Sequence, residues 1–196
     1  MDAIRAFIAI ELPEQIRQQL SSIEQQLQAK AGDSSRRAVR WVPTGNMHLT
    51  LKFLGEVSAS NVQALARMLQ RQAAQHSVFE LTIAGLGAFP NQRRPRVIWI
   101  GAEAPAEFSS LQQTIEAETR ALGYPAEDRP FSPHLTLGRV SRNATPRDIQ
   151  RIGEALEKTA VGHLGTVRVE NVNLYRSDLR PGGAVYTNLF SAPIGS

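Results

Sequence analysis

The stretch NMHLTLKFLGEV, residues 46–57, shares the tetrapeptide His-Leu-Thr-Leu with PHLTLGRV, residues 133–140. One copy lies in each half of a chain that holds only 4 histidines. Successive side chains of a strand point to opposite faces. His48 and Thr50 therefore share one face, while Leu49, Leu51 and Phe53 share the other; the same parity separates His134 and Thr136 from Leu135 and Leu137. Each copy reads as a strand whose apolar face lies against a helix layer and whose imidazole and hydroxyl point away from it.

The rest of the chain supports two such strands in one soluble protein. Its 196 residues, 42% of them hydrophobic, are enough to bury a sizeable core. With no cysteine, neither disulfides nor thiolate zinc sites can staple the fold. The opening apolar run is too short for a signal peptide, and no stretch approaches the roughly 20 apolar residues of a membrane span, so a cytoplasmic location without a membrane partner is expected. The balance of 22 Lys+Arg against 18 Asp+Glu gives +4 and suits an anionic partner such as RNA.

Outward from the repeats, strands and helices alternate. Ile4 to Ile10 reads as a strand, and Ile16, Leu20, Ile23 and Leu27 mark a helix bracketed by Pro13 and Gly32. Asp33 to Arg37 reads as a loop, and Val39 to Pro43 and Met47 to Leu54 as strands. Val62, Leu65, Met68 and Leu69 predict a second helix opened by Ser58 or Ser60. FELTIAGLGAF and RVIWIGA form a strand pair around the loop Pro90 to Pro95. A helix through Phe108, Leu111, Ile115 and Leu122 stops at Gly123, and another carries Ile149, Ile152 and Leu156. LGTVRVENVNLY and AVYTNLF close the chain as strands. This order predicts an α+β fold: two pseudo-symmetric lobes of antiparallel sheet covered by helices, folded as one domain over residues 1–196. A central cleft would then carry one His-x-Thr motif from each lobe.

Two imidazoles and two hydroxyls across a cleft suit phosphodiester chemistry without a metal. A neutral imidazole takes a proton from the attacking water while an imidazolium gives one to the leaving oxygen. Threonine hydroxyls donate to the non-bridging phosphate oxygens. No His-x-x-x-His, His-x-His or adjacent carboxylate accompanies either histidine, so no metal and no cofactor is expected. The chain also lacks a G-x-x-x-x-G-K-[ST] loop and a Lys-x-Asp-Gly nucleophile motif, so any ligation would have to reverse cyclic-phosphate chemistry without ATP.

The repeats resemble the two His-x-Thr/Ser-x motifs of the two-histidine phosphoesterase superfamily. The RNA 2′,3′-cyclic phosphodiesterase (2′-5′ RNA ligase) branch is similar over most of the chain. The likeness extends through RAFIAIELP at Arg5 to Pro13, HLTLKFLGEV, SPHLTLGRV and LYRSDLRPGGAVYTNL at Leu174 to Leu189. It implies opening of a 2′,3′-cyclic phosphate to a 2′-phosphomonoester by a monomer acting on RNA ends or nucleoside 2′,3′-cyclic phosphates. By the same resemblance His48 corresponds to the proton donor for the ribose 3′-oxygen and His134 to the base that activates water. Thr50 and Thr136 correspond to the phosphate-binding hydroxyls. Arg139 corresponds to an arginine beside the phosphate. Strict alternation would turn Arg139 away from His134 unless Gly138 admits a bulge. The competing class is an RNA-end or nucleotide-binding module that has lost turnover.

Other residues carry weaker signals. His76 and His163 lack the motif and read as surface or turn residues. Phe7, Trp41 and Phe131 are core candidates that could instead stack on a base. Arg36, Arg37, Arg40, Arg93, Arg94 and Arg96 sit in or beside two loops that could guide an RNA backbone. Ser177 and Tyr186 flank RPGGA, which reads as a hairpin turn.

Overall fold

The computed structural model describes residues 3–127, 130–181 and 183–195. The chain runs β1 (Ala3–Glu11), α1 (Glu14–Ala31), α2 (Asp33–Ala38), β2 (Val39–Trp41), a 3-10 turn (Thr44–Asn46), β3 (His48–Ser58), α3 (Ala59–Ala73), β4 (Phe79–Phe89) and β5 (Val97–Glu103). It continues with α4 (Ala106–Ala121), β6 (His134–Val140), α5 (Pro146–Glu157), β7 (His163–Val169), β8 (Asn171–Arg180) and β9 (Gly183–Pro193). The strands form two sheets, ordered β3-β1-β8-β9 and β2-β6-β5-β4-β7, whose pairings are antiparallel. This is the expected α+β class, and each sheet carries one His-Leu-Thr-Leu strand.

The helices form where apolar spacing and end signals agree. In α1, Ile16, Leu20, Ile23, Leu27 and Ala31 make the buried stripe, and Gly32 at φ 59 adopts the left-handed conformation that ends it. In α5 the Thr145 side chain accepts from the Asp148 backbone N–H while Asp148 reaches back to that of Thr145, and Pro146 occupies the first turn. Such a cap contributes about 1 kcal/mol.

Two segments differ from the sequence expectation. Asp33 to Arg37 is not a loop but most of α2, because its polar residues find partners inside the fold. The Ser35 hydroxyl donates to the Gly32 carbonyl at 2.6 Å, Ser34 and Ser35 are buried, and Arg37 pairs with Asp148 at 2.9 Å. The closing stretch LGTVRVENVNLY is two strands rather than one. Val167 and Val169 belong to β7, beside β4, whereas Val172 and Leu174 belong to β8, beside β1. The apolar parity slips by one across Glu170, and there the chain passes from one sheet to the other.

The two halves of the chain trade elements. β1 is central in the first sheet, bonded to β3 on one side and to β8, from the far end of the sequence, on the other. β2 precedes β3 yet pairs with β6 in the second sheet, and the Val42 N–H extends that pairing to the Leu137 carbonyl at 2.8 Å. The chain reaches His48 through the 3-10 turn directly afterwards, and β3 and β6 lie side by side where the sheets meet. One core cluster includes Ile8, Leu49, Leu51, Leu65, Ile98, Phe108, Leu135, Leu137 and Leu174. Burying a leucine contributes roughly 1.5–3 kcal/mol, so a one-residue slip in either motif strand, exposing two leucines, is strongly opposed.

Candidate active site

Both motif strands contain bulges, and the bulges decide which side chains share the face of each histidine. Along β3, His48 lies opposite Glu11 and Thr50 opposite Ala9; the register then shifts, so that Lys52 lies opposite Ile8 and Phe53 opposite Phe7. Leu51 is the extra residue. Between it and a second shift at Leu54 the parity is reversed, which corrects the placement of Phe53 among the inward residues: Phe53 is 57% exposed, and Lys52 is only 2% exposed. The Lys52 ammonium donates to Glu116 Oε1 at 2.7 Å and to the Pro125 carbonyl at 2.5 Å, tying the motif strand to α4. A charge buried this deeply needs such partners.

β6 repeats the device at Leu137. Thr136 lies opposite Trp99 and Gly138 opposite Ile98, so Arg139 comes to lie opposite Val97, on the face that carries Thr136 and His134. The bulge removes the parity conflict posed by Arg139. Gly138 is held close on the core side, where an added Cβ would stand 2.8 Å from a Val39 methyl and 2.9 Å from the Trp41 ring. β2 meets β6 with Arg40 directly opposite Arg139. Arg40, which the sequence marks only as one of several arginines in or beside loops, therefore shares the face of Arg139, Thr136 and His134.

The histidines have matching backbone anchors. His48 Nδ1 lies 2.7 Å from the Asn46 carbonyl oxygen, and His134 Nδ1 lies 2.7 Å from that of Ser132. A carbonyl can only accept, so each neutral ring carries its proton on Nδ1 and presents a bare Nε2. The settings otherwise differ. The His48 ring stacks on Phe7 with centroids 4.6 Å apart and meets Tyr186 edge-on at 5.2 Å, whereas His134 meets the edge of Phe89 at 5.1 Å. Burial pushes the His48 pKa down to about 4, opposed by the hydrogen bond to Asn46. Burial raises Tyr175, beside Phe7, to about 12.

Tyr186 connects the two sheets electrically. Burial raises its pKa, and Arg139 and Arg40 act in the opposite direction through their charges. Tyr186 belongs to β9 in the first sheet and touches the His48 ring, while the arginines belong to the second. Nearby, the Asn46 amide donates to the Ala184 carbonyl at 2.7 Å, binding the turn before His48 to β9. On the second sheet Trp99 lies flat across Gly87, where a Cβ would fall 2.3 Å from the ring.

The remaining candidates fall elsewhere. Phe7 is 3% exposed beneath His48 and offers no face to a base, and Trp41 is partly buried against the core. Phe131 is partly exposed against Phe108. His76 lies in a turn and His163 is exposed at the start of β7. Arg93, Arg94 and Arg96 line a separate cavity of about 600 Å³ between the β4–β5 loop and α5, which includes neither motif. Arg37 is engaged with Asp148. Phe89 and Trp99 carry no site signal in the sequence beyond period-2 spacing on β4 and β5, of which β5 pairs with β6. No helix among the described residues is long and apolar enough to cross a membrane.

Two antiparallel sheets that each lend one histidine-threonine strand define a two-lobed phosphoesterase. The LigT-like phosphoesterase model matches residues 10–99 and again residues 100–186, one motif in each match, and the chain belongs to that family. The RNA 2′,3′-cyclic phosphodiesterase of Methanothermobacter thermautotrophicus is 36% identical over 186 residues, spanning 95% of this chain and 96% of the relative. That of Thermotoga maritima is 32% identical over 187 residues, spanning 95% and 94%. A crystal structure from Thermus thermophilus superposes with a TM-score of 0.79 at 30% identity, covering 98% of this chain and 99% of that one. The crystal structure of E. coli LigT complexed with 3′-AMP gives 0.75 at 29% identity, with all of both chains covered.

Proposed function

We propose that the chain hydrolyses RNA 2′,3′-cyclic phosphate ends to 2′-phosphomonoesters by metal-independent acid–base catalysis. The observation that carries this reading is the pair of histidines with Nδ1 anchored to a carbonyl, each followed two residues on by a threonine of the same face. His134 Nε2 takes a proton from water as the water oxygen bonds to phosphorus. The bond from phosphorus to the 3′-oxygen breaks, and His48 Nε2 delivers a proton to that oxygen. Thr50, Thr136 and Arg139 hold the non-bridging oxygens while charge moves among them. Proton exchange with solvent resets both rings.

In the free protein the buried His48 is neutral near pH 7. A phosphate anion at its Nε2 favours the imidazolium, so substrate binding itself loads the acid. The arginines beside Tyr186 supply the attraction that brings the anion in.

Incubation with a nucleoside 2′,3′-cyclic phosphate, followed by phosphorus NMR with and without EDTA, tests the reading. The expected product is the 2′-phosphomonoester at the same rate in both samples. An unchanged substrate that nevertheless binds would establish a nucleotide-binding module instead, and activity abolished by EDTA would put the chemistry on a metal.

A further inference from the structure

Arg40 and Arg139 face each other across the β2–β6 pairing. Directly opposed residues of an antiparallel pair hold their Cβ atoms about 4.5–5.5 Å apart, and like charges placed there repel. Arg17, Arg37, Arg71, Arg168 and Arg176 all have carboxylate partners. Among the described residues Arg40 and Arg139 form no such ion pair, and both are exposed. Among the described residues no carboxylate therefore answers these two directly opposed arginines on the face they share. They are also close enough to Tyr186, beside His48, to act on its ionisation.

A cyclic phosphate diester carries one negative charge. Held at His134, Thr136 and Arg139, it answers one guanidinium and leaves the other. Arg40 lies one strand further out, on β2 at the edge of the sheet, and is exposed. We infer that Arg40 binds a second phosphate, the one on the 5′ side of the terminal ribose, so that the cleft selects a 5′-phosphorylated or chain-terminal cyclic nucleotide over the bare nucleoside cyclic phosphate. This rests on the hydrolytic reading above. A guanidinium suits the task because its planar fork can donate two parallel hydrogen bonds to phosphate oxygens.

The test compares kcat/KM for three substrates: cytidine 2′,3′-cyclic phosphate, the same nucleotide with a 5′-phosphate, and a cytidylyl dinucleotide ending in the cyclic phosphate. The proteins are the unsubstituted chain, Arg40→Gln, Arg40→Lys and a control, Arg168→Gln, at the opposite edge of the same sheet. A charged hydrogen bond is worth about 1.5–3 kcal/mol, so the preference for a second phosphate should be roughly ten- to a hundred-fold. Arg40→Gln should abolish the preference, Arg40→Lys should keep part of it and Arg168→Gln should keep all of it. A gain with the 5′-phosphate assigns the subsite to phosphate charge, and a gain confined to the dinucleotide assigns it to the diester. In binding measurements with the dinucleotide product, Arg40→Gln should also flatten the dependence of log K on log salt by about 0.7, the share of one phosphate contact on a single strand. A preference that survives Arg40→Gln would overturn the inference. Failure of the unsubstituted chain to hydrolyse even the bare nucleoside cyclic phosphate would overturn the reading beneath it.

Discussion

His48 and His134 begin strands of different sheets, and each holds its Nδ1 2.7 Å from the carbonyl oxygen two residues upstream. In both cases the partner is a backbone carbonyl, so neither ring needs a side-chain acceptor to fix its tautomer. This equivalence makes the histidines separable from the hydroxyls by mutation.

Replacing His48 or His134 with alanine should lower kcat by 10²–10⁴, the usual worth of a positioned proton-transfer group, while nucleotide binding persists. The double variant should be little worse than the poorer single one, since the two act as a unit. Steady-state kinetics on a nucleoside cyclic phosphate measures this, and near-normal turnover in both single variants would place the chemistry elsewhere.

Thr50→Val and Thr136→Val keep strand shape and delete one hydroxyl each. A hydroxyl that tightens on the phosphate only in the transition state shows its loss in kcat; one that binds both states alike shows it in KM. Either way the acid–base pair continues to work, and the bell-shaped pH profile should remain.

The His48 pKa of about 4 gives that profile a particular form. A general acid stops working as pH rises through its pKa. The kcat/KM profile reports the free protein and kcat the complex, in which phosphate favours the imidazolium. The alkaline limb of kcat should therefore lie at higher pH than that of kcat/KM, and coincident limbs would remove His48 from the acid role. Because its folded pKa lies below the unfolded value of 6.5, the unliganded protein should also lose stability as pH falls from there toward 4; His48→Gln should flatten that slope.

Lys52→Ala should cost about 3–5 kcal/mol in denaturant unfolding, because it leaves Glu116 beside a vacated ammonium site in the interior. Combining Lys52→Met with Glu116→Leu should recover most of the loss. If the single variant costs no more than a surface substitution, the ion pair is not what holds β3 against α4.

Glu24, on α1, has its carboxyl pushed up to about 7 by burial, from 4.5. The unfolded chain ionises first, so this residue removes stability as pH rises through that window. Glu24→Gln should raise Tm above pH 7 and leave it nearly unchanged below pH 4.5, as calorimetry at the two extremes can show.

The α+β class, the strand face that His48 shares with Thr50 and His134 with Thr136, and the ends of α1 were legible because they rest on local rules: parity, apolar spacing, and Pro and Gly at helix ends. Phe53, Lys52 and Arg139 depend on bulges, where one extra residue reverses the side chains that follow it up to any further shift. Nothing within HLTLKFL distinguishes a buried lysine from an exposed one; the decision lies with Glu116 and Pro125, far away in sequence. Arg40 was visible only as charge, since its place opposite Arg139 needs the β2–β6 pairing. The split at Glu170 left a trace, the parity slip from Val169 to Val172, but which sheet each piece joins is a tertiary matter.

The central place of β1 has a consequence for how the protein is made. On the ribosome β1 emerges long before β8, which must lie against it and follows it by about 160 residues. Until then one side of β1 offers unpaired backbone groups to any passing strand, a hazard for aggregation. Expressing the two motif halves as separate polypeptides should accordingly give insoluble material from each alone. Soluble protein should come from co-expression, where the β8–β9 hairpin can be supplied in trans.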